Sequence, residues 1–315
     1  MPENPVVSVF CITYNHRPYI AQCLDSILKQ HTRFPFEIIV HDDSSTDGTA
    51  DIIKKYERSY PDKVKSIIQS ENKYSKGVRT IMASFMMPKA RGQYLAICEG
   101  DDFWIDERKL EHQTLLLDGD SEIGMCYSRV IKYIQQRGEF DKEWGGPATQ
   151  FTDLLNNNVI PTPTSFFRKE LYAQYISEVR PQDHQWALGD YPTWLWFALR
   201  SRITFMPEVT ACYRVLSESM SHFKDMTKKE VFVRSAFDIK KFFVRLGALP
   251  INVARIDDDM NRTLANIGLY TSDKVRFVKY YLLIRKVKPK DWLKRLIVEF
   301  KLLNKAFLKI KLKRG

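Results

Sequence analysis

Short apolar runs alternate with helical segments over the first hundred residues of the chain. The runs are VVSVFCI at 6–12, EIIVHDD at 37–43, KVKSIIQS at 63–70 and QYLAICE at 93–99. Apolar residues recur at helical spacing in 19–28, a second helix follows the loop SSTDGT and ends before Pro61, and 77–90 also has a helical pattern. Because strand–helix–strand connections are right-handed, this order predicts a mostly parallel sheet covered by helices on both faces.

The pattern of the sequence changes after about residue 120. GMCYSRVIKYI predicts a strand, GEFDKEWGGPATQ a polar loop, DYPTWLWFALRS a buried aromatic helix, and ITFMPEVTACYRV extended structure. The rest of the chain is helical in pattern, with helices near 227–246, 251–268, 273–286 and 290–312. We therefore expect an α/β domain followed by a helical region.

The domain boundary is placed where the helical pattern becomes continuous, and the excess of basic residues lies near the end of the chain. We place an α/β domain at residues 1–222 and a helical C-terminal region at 223–315, which ends in a basic amphipathic tail at 285–315. That tail holds twelve Lys/Arg and two Asp/Glu, which leaves 37 against 36 for residues 1–284 out of the 49 and 38 of the whole chain. A groove for nucleic acid needs basic residues in the folded body, so we exclude nucleic acid as a partner.

Cysteine usage and hydropathy indicate the compartment. No secretory signal precedes the first strand, and no window reaches the roughly eighteen apolar residues of a membrane span. The five cysteines are scattered and form no C-x-x-C pair, so the sequence indicates neither a disulfide framework nor a structural zinc site. We expect a cytoplasmic protein.

Unusual polar residues follow three of the predicted strands, as TYN, HDDSS and EGDD. Ligands bind outside the carboxyl ends of the strands in open α/β sheets. The first glycine of the chain is Gly48, which excludes the glycine-rich loops of dinucleotide-binding and P-loop folds. The adjacent carboxylates of Asp101 and Asp102 repel each other, and a hard cation such as Mn²⁺ or Mg²⁺ would offset that repulsion while it binds phosphate oxygens. A solvated acidic loop is the alternative interpretation.

Three segments resemble the family 2 inverting glycosyltransferases of the GT-A fold: VSVFCITYNHRPYIAQCLDSILKQ, FEIIVHDDSSTDGTADIIKKY and YLAICEGDDFW. The similarity spans roughly residues 6–117 and continues more weakly through GDYPTW to YRVLSESMSH. It implies a GT-A (nucleotide-diphospho-sugar transferase) three-layer sandwich. It also implies a hexosyl- or N-acetylhexosaminyl-transferase that moves a sugar from a nucleotide-sugar donor, UDP-linked, to a saccharide or lipid-linked acceptor, with Mn²⁺ or Mg²⁺ as cofactor.

The resemblance implies roles for residues at the donor site. The loop Thr13–Tyr14–Asn15 would line the nucleotide base, and Asp43 would accept a hydrogen bond from the base, with Asp42 as a supporting residue. Simple packing is the alternative role for Tyr14, and capping of the following helix is the alternative for Asp43.

The EGDD motif would complete the donor site. By resemblance, Asp101 would bond the ribose, and Asp102 would ligate the metal that bridges the two phosphates. Lys76 and Arg79 are further candidates for neutralising the nucleotide, and a solvated face explains them equally well.

Inversion at the anomeric carbon requires a base that removes the proton of the acceptor hydroxyl. By resemblance this base is Asp190, which precedes an apolar helix with Pro192 in its first turn. A helix N-cap is the simpler role for such a residue, and the two roles are compatible.

Two further residues are candidates. His222 would be a metal or phosphate ligand, although Leu216 stands where many relatives have histidine after YRV. Trp186 would stack on an acceptor sugar, whereas core packing accounts for Trp194 and Trp196 more simply.

The basic tail at 285–315 interleaves lysines with apolar residues, which is typical of peripheral membrane contact or of a helix packed on its own domain. Membrane contact would place the protein at the inner face of the plasma membrane. Two other functions stay open at this point: a nucleotidyltransferase, and a non-catalytic saccharide- or membrane-binding module on the same fold.

Overall fold

The computed structural model of the chain describes residues 4–216 and 225–299. Packing divides the chain into two compact units, Met1–His222 and Phe223–Gly315. Each unit has a hydrophobic core of its own.

The first unit is built on one sheet. Its strands are β1 (Val7–Thr13), β2 (Phe36–Asp42), β3 (Val64–Ile68), β4 (Tyr94–Ile97), β5 (Phe103–Trp104), β6 (Ile123–Ile134), β7 (Glu139–Trp144), β8 (Phe166–Arg168) and β9 (Arg202–Val215). Within the described residues their order is β3-β2-β1-β4-β8-β6-β9-β5, and β7 pairs with β6. The first four strands are parallel, and β8 runs antiparallel to β4 and β6.

The helices of the first unit connect these strands. They are α1 (Ile20–Leu28), α2 (Thr49–Ser59), α3 (Lys109–Asp118), α4 (Phe151–Asn156), α5 (Lys169–Val179) and α6 (Tyr191–Arg200). β2 is buried at every position, and its central residues Ile38–Val40 are consecutive apolar residues rather than alternating ones. On α1, Ile20, Cys23, Leu24 and Ile27 form the face buried in the core. All five cysteines are buried, and none forms a disulfide bond.

One predicted element of this unit is wrong, and a second is shorter and irregular. Part of the polar segment GEFDKEWGGPATQ, expected as a loop, forms strand β7, which pairs with β6 after a turn in which Gly138 has a φ of 66°. The helix expected at 77–90 is instead a π-helical turn at Met82–Met86 that passes into a 3₁₀ turn at Met87–Lys89. Pro88 has no N–H to continue a regular helix there.

The second unit is helical, as its sequence pattern predicts. Its described helices are α7 (Met226–Leu246), α8 (Val253–Tyr270), α9 (Lys274–Tyr281) and α10 (Pro289–Glu299). Met260, Leu264, Phe277 and Tyr280 are part of its buried cluster. The basic tail is described only as far as residue 299. None of the helices in 4–216 and 225–299 combines the length and apolarity needed to cross a bilayer.

Candidate active site

The loops that follow β1, β2 and β4 meet at the carboxyl edge of the sheet. β1 lies between β2 and β4 and is parallel to both. The Asp43 N–H donates to the Thr13 carbonyl at 3.0 Å, and the Gly100 N–H donates to the Ile12 carbonyl at 2.9 Å. A Cβ on Gly100 would lie 2.6 Å from the Thr13 side chain, so only a glycine lets these two loops approach so closely. The three polar motifs therefore form one site.

The loop after β1 is fixed by the loop after β2. Asn15 has a left-handed backbone (φ 54°), its N–H donates to Ser45 Oγ at 2.8 Å, and its Oδ1 accepts from the Thr46 N–H at 2.9 Å. Buried Asp42 accepts from the N–H and the hydroxyl of Ser45, which is a supporting role. Tyr14 is left 45% exposed at the tip of the loop.

Asp43 holds the loop that follows β3. Its buried carboxylate accepts the Lys73 N–H at 2.8 Å and the Tyr74 N–H at 2.9 Å. It does not cap α2, because the N–H of Thr49 donates to Asp47 Oδ1 instead. Asp43 therefore anchors the loop after β3 to the end of β2.

The loop after β3 also approaches the start of α6. The guanidinium of Arg79 lies over the Tyr74 ring, 3.8 Å from its centroid. The Arg79 carbonyl would be 3.5 Å from a Cβ on Gly189, the residue before Asp190. Lys76, in contrast, forms an exposed ion pair with Glu71.

The two aspartates of EGDD have different environments. The Asp102 side chain is 1% exposed: Oδ1 accepts the Arg214 N–H at 2.7 Å, and Oδ2 has no hydrogen-bond partner among the described residues. Asp101 is more accessible, with its side chain 22% exposed and Oδ1 3.9 Å from His16 Nδ1. Burial raises the pKa of Asp102 well above its usual range, and the charges of Asp101 and Glu99 raise it further.

Glu99 and Asp190 join the same acidic cluster. Burial raises the pKa of Glu99 to about 8, with added contributions from the charges of Asp101 and Asp190. Asp190 is the N-cap of α6: its Oδ1 accepts the Tyr191 N–H at 2.7 Å, and its Oδ2 lies 3.5 Å from the Thr162 hydroxyl. Burial raises the pKa of Asp190 as well. Four carboxyl groups from two distant parts of the sequence thus share one site.

Arg214, on β9, is a residue of this site that the sequence did not reveal. Its backbone N–H binds Asp102, and its Nε donates to the Asp101 carbonyl at 2.7 Å. Its terminal nitrogens donate to the side-chain carbonyls of Gln135 and Gln22 at 2.5 and 2.6 Å. This buried guanidinium therefore fixes the turn that carries the two aspartates. The motif YRV gave no signal for this role, because the contacts are made to residues remote in sequence.

Comparison with known proteins identifies the family. The model of the family described as glycosyl transferase family 2 matches residues 8–176 of the chain. The chain belongs to glycosyl transferase family 2.

Relatives are similar over about 70% of the chain. The uncharacterized protein Rv1520 of Mycobacterium tuberculosis is 34% identical over 224 residues, which are 69% of this chain and 60% of that protein. The chain thus spans about 60% of the length of this relative. A protein named as a glycosyltransferase of teichuronic acid biosynthesis, TuaG of Bacillus subtilis, is 29% identical over 73% of this chain and 87% of its own length.

Solved structures confirm the GT-A fold for this family 2 chain. S. aureus TarS 1–349 in complex with UDP-GlcNAc has a TM-score of 0.61 and 19% identity, over 88% of this chain and 81% of that one. The mannosyltransferase PcManGT from Pyrobaculum calidifontis, in complex with GDP-Man and Mn²⁺, has a TM-score of 0.50 and 17% identity, over 90% and 86%. Identity at this level supports the fold alone.

The remaining predicted residues do not all reach the site. Trp186 is only 8% exposed, and its ring is stacked on His184 with the centroids 4.0 Å apart. It therefore lacks the open face that stacking on an acceptor sugar requires, and that prediction is wrong for this arrangement. Trp194 and Trp196 are core residues, as expected. His222 lies outside the described residues.

The donor set of the site fits a hard divalent cation. In the described residues, no group of three or more His, Cys, Asp or Glu side chains is arranged as a complete metal site. A Mn²⁺ or Mg²⁺ ion that also binds phosphates needs only one or two carboxylates from the protein. The Asp101 carboxylate is partly accessible, and the Glu99 and Asp102 carboxyl groups are buried beside it, so a cation bound to Asp101 would offset the repulsion within this acidic group.

Proposed function

We propose that the chain is an inverting, metal-dependent glycosyltransferase whose transferase domain is residues 1–222. It transfers a hexosyl or N-acetylhexosaminyl group from a nucleotide sugar, UDP-linked, to a saccharide or lipid-linked acceptor. One observation carries this proposal: the acidic motif EGDD meets the loops after β1 and β2 at the carboxyl edge of the sheet, and the start of α6 with Asp190 approaches the loop after β3 through Gly189 and Arg79. A base and a cation-binding motif in one site are what a single displacement at an anomeric carbon requires.

In this proposal the donor's base lies against the loops after β1, β2 and β3. Tyr14 offers an exposed ring for stacking, and Asn15 and buried Thr13 shape the loop behind it. Both oxygens of Asp43 already accept backbone N–H groups. Each carboxylate oxygen has a further lone pair, so a hydrogen bond from the base to Asp43 is compatible with these contacts.

The burial of the two aspartates supports roles for Asp101 and Asp102 that differ from our expectation. We expected Asp102 to ligate the metal and Asp101 to bond the ribose. Because Asp101 is the accessible carboxylate, we assign direct contact with the cation to Asp101 and a supporting role to Asp102. When bound, Mn²⁺ or Mg²⁺ would supply Lewis-acid stabilisation of the leaving nucleoside diphosphate.

Asp190 is the proposed general base. As the acceptor oxygen forms its bond to the anomeric carbon, the bond from that carbon to the phosphate oxygen breaks, and the acceptor's proton passes to the Asp190 carboxylate. The Tyr191 N–H fixes one oxygen and so orients the other. Burial raises the pKa of Asp190, which brings its basicity closer to the working pH.

The proposed location follows from the acceptor class. A lipid-linked acceptor would require the enzyme to work in the cytoplasm at the inner face of the plasma membrane. Contact through the tail 285–315, with its excess of basic residues, would suit such an acceptor.

Calorimetric titration of UDP in the presence of Mn²⁺ tests the proposed donor site. We expect the native protein to bind UDP only with the metal, and Asp101→Asn to weaken that binding roughly tenfold or more, because a charge that faces the cation is lost. Asp102→Asn should weaken it much less, since Asn also accepts the Arg214 N–H. Asp62→Asn, on the surface, is the matched control. Metal-dependent binding that survives in Asp101→Asn would refute the assignment of Asp101, and no UDP binding at all would refute the donor site.

A further inference from the structure

The outer face of α9, the start of α10 and the turn between them form an unusual surface, here called the α9–α10 surface. Seven of its exposed residues are apolar: Val275, Val278, Leu282, Leu283, Val287, Trp292 and Leu293. Seven others are basic: Lys274, Lys279, Arg285, Lys286, Lys288, Lys290 and Arg295. The exposed fractions reach 81% for Val275 and 69% for Leu282. An exposed apolar set of this size on one continuous segment indicates an interaction surface.

The surface carries charge of one sign. The single acidic residue in 274–295 is Asp291, which is 3% exposed and bound to Arg262 Nε at 2.8 Å. The core of the second unit is not the partner of this surface, because α9 uses its opposite face, with Phe277 and Tyr280, for the core. Exposed apolar side chains and lysines therefore alternate with no exposed carboxylate between them.

Buried groups of α8 hold the turn between α9 and α10 in place. Asp258, 5% exposed, accepts the N–H groups of Arg285 and Lys286 at 2.8 and 3.0 Å. Arg262 donates to the Lys286 carbonyl, and Asp291 accepts the Lys288 N–H at 2.9 Å. The side chains between residues 285 and 290 are thus presented outward from an anchored backbone.

We propose that the α9–α10 surface docks on an anionic lipid bilayer. Valine, leucine and tryptophan side chains enter the boundary between headgroups and acyl chains, and the surrounding lysine and arginine side chains bind lipid phosphates. Charge complementarity selects anionic lipid as the occupant, and the interleaved apolar residues distinguish this surface from a groove that tracks nucleic acid phosphates. Tryptophan is favoured at that boundary.

The proposal extends the contact proposed for the basic tail, because residues 285–295 belong to both, and it adds the outer face of α9. Val275, Val278 and Leu282 precede residue 285, and they are contributed by a helix packed into the core of the second unit. It is also independent of the proposed transfer reaction, because vesicle binding requires neither the nucleotide nor Asp190. Failure of one proposal is therefore distinguishable from failure of the other.

A fluorescent label placed on the surface gives the most direct test. All five native cysteines are buried, so Leu282→Cys adds one accessible thiol for an environment-sensitive dye. We expect the emission of the dye to rise and shift to the blue when the full chain meets vesicles of phosphatidylcholine with phosphatidylglycerol, and to stay unchanged with phosphatidylcholine alone. Leu115→Cys, at an exposed position of α3, is the matched control and should not respond. An unchanged emission at position 282, while the protein co-sediments with the vesicles, would overturn the proposal.

Vesicle co-sedimentation of full-length variants measures the apolar and the basic contributions to lipid binding separately. Both Leu282→Ser/Leu283→Ser and Lys286→Glu/Lys288→Glu should lower the partition coefficient roughly tenfold or more, and about 1 M salt should weaken native binding by screening. Lys54→Glu/Lys55→Glu, exposed on α2, is the charge control. Native-level partitioning in both surface variants would contradict the proposal. So would light scattering that shows a dimer of the native chain broken by Leu282→Ser/Leu283→Ser, because the surface would then bind a second copy.

Discussion

Several charged side chains of this chain lie where water cannot reach them, and each has a specific set of partners. Asp102 accepts a backbone N–H, and Arg214 donates to three separate carbonyl oxygens. Lys109 is fully buried, donates to Gln113 Oε1 at 2.7 Å, and stands 4.1 Å from the centroid of the Trp104 ring. Trp104 belongs to β5, directly after the acidic motif, so these contacts tie the motif to the body of the domain.

Lys109 gives a pH-dependent prediction at the residue scale. Burial lowers its pKa to about 8, so the native chain releases this proton at a lower pH than the unfolded chain does. The free energy of unfolding of the native chain, relative to Lys109→Met, should therefore rise by on the order of 2 kcal/mol between about pH 8 and about pH 10. Denaturant titrations at several pH values measure this difference, with exposed Lys54→Met as the control. A difference that stays flat over that range would contradict the lowered pKa.

At the scale of elements, the site depends on the close approach of two loops. The loop after β4 presses on the loop after β1 at Gly100, where a Cβ would come within 2.6 Å of Thr13 and 3.1 Å of His16 Nδ1. These are the loops that carry Tyr14 and Asp101. Their separation determines whether a nucleotide base and a cation can be bound at the same time.

Gly100→Ala should separate these loops. Overpacking of this kind costs typically 1–3 kcal/mol in the free energy of unfolding, and we expect weaker binding of UDP with Mn²⁺ as well. Gly146→Ala is the matched control, because a Cβ there would meet nothing within 4 Å. Chemical denaturation and calorimetry on both variants measure the two effects. Native-like stability and UDP affinity in Gly100→Ala would show that the loops are not in contact.

For the whole molecule, the sequence predicts the fold better than it predicts the contacts of the site. Strands β1, β2 and β4 were predictable because both of their faces are buried, which leaves three or four consecutive apolar residues in each. Strand β7 was not, since Glu139–Glu143 are exposed and no buried face imposes alternation. Its position is set by pairing with β6, which is a tertiary effect.

The sequence likewise predicts some residues of the candidate site and not others. The polar motifs were predictable because they follow apolar strands directly. Arg214 and Glu99 were missed, and the burial of Trp186 was not foreseen, because each depends on residues distant in sequence. The relative accessibility of Asp101 and Asp102 likewise follows from the packing of β9 beside them, which supplies the Arg214 N–H. The sequence identifies the acidic pair, and only the structure distinguishes its two members.

Turnover of nucleotide sugars tests the central claim, that the acids from β4 and α6 form a glycosyltransferase centre. Release of UDP or GDP would be measured from a panel of UDP- and GDP-sugars with Mn²⁺, in the native chain and in Asp190→Asn, which keeps the helix cap because Asn caps as well as Asp. The account predicts release by the native chain and a rate lower by about 10²–10⁴ in Asp190→Asn, with UDP affinity and melting temperature unchanged. Native-level turnover in Asp190→Asn, or none by the native chain with any donor in the panel, would contradict it.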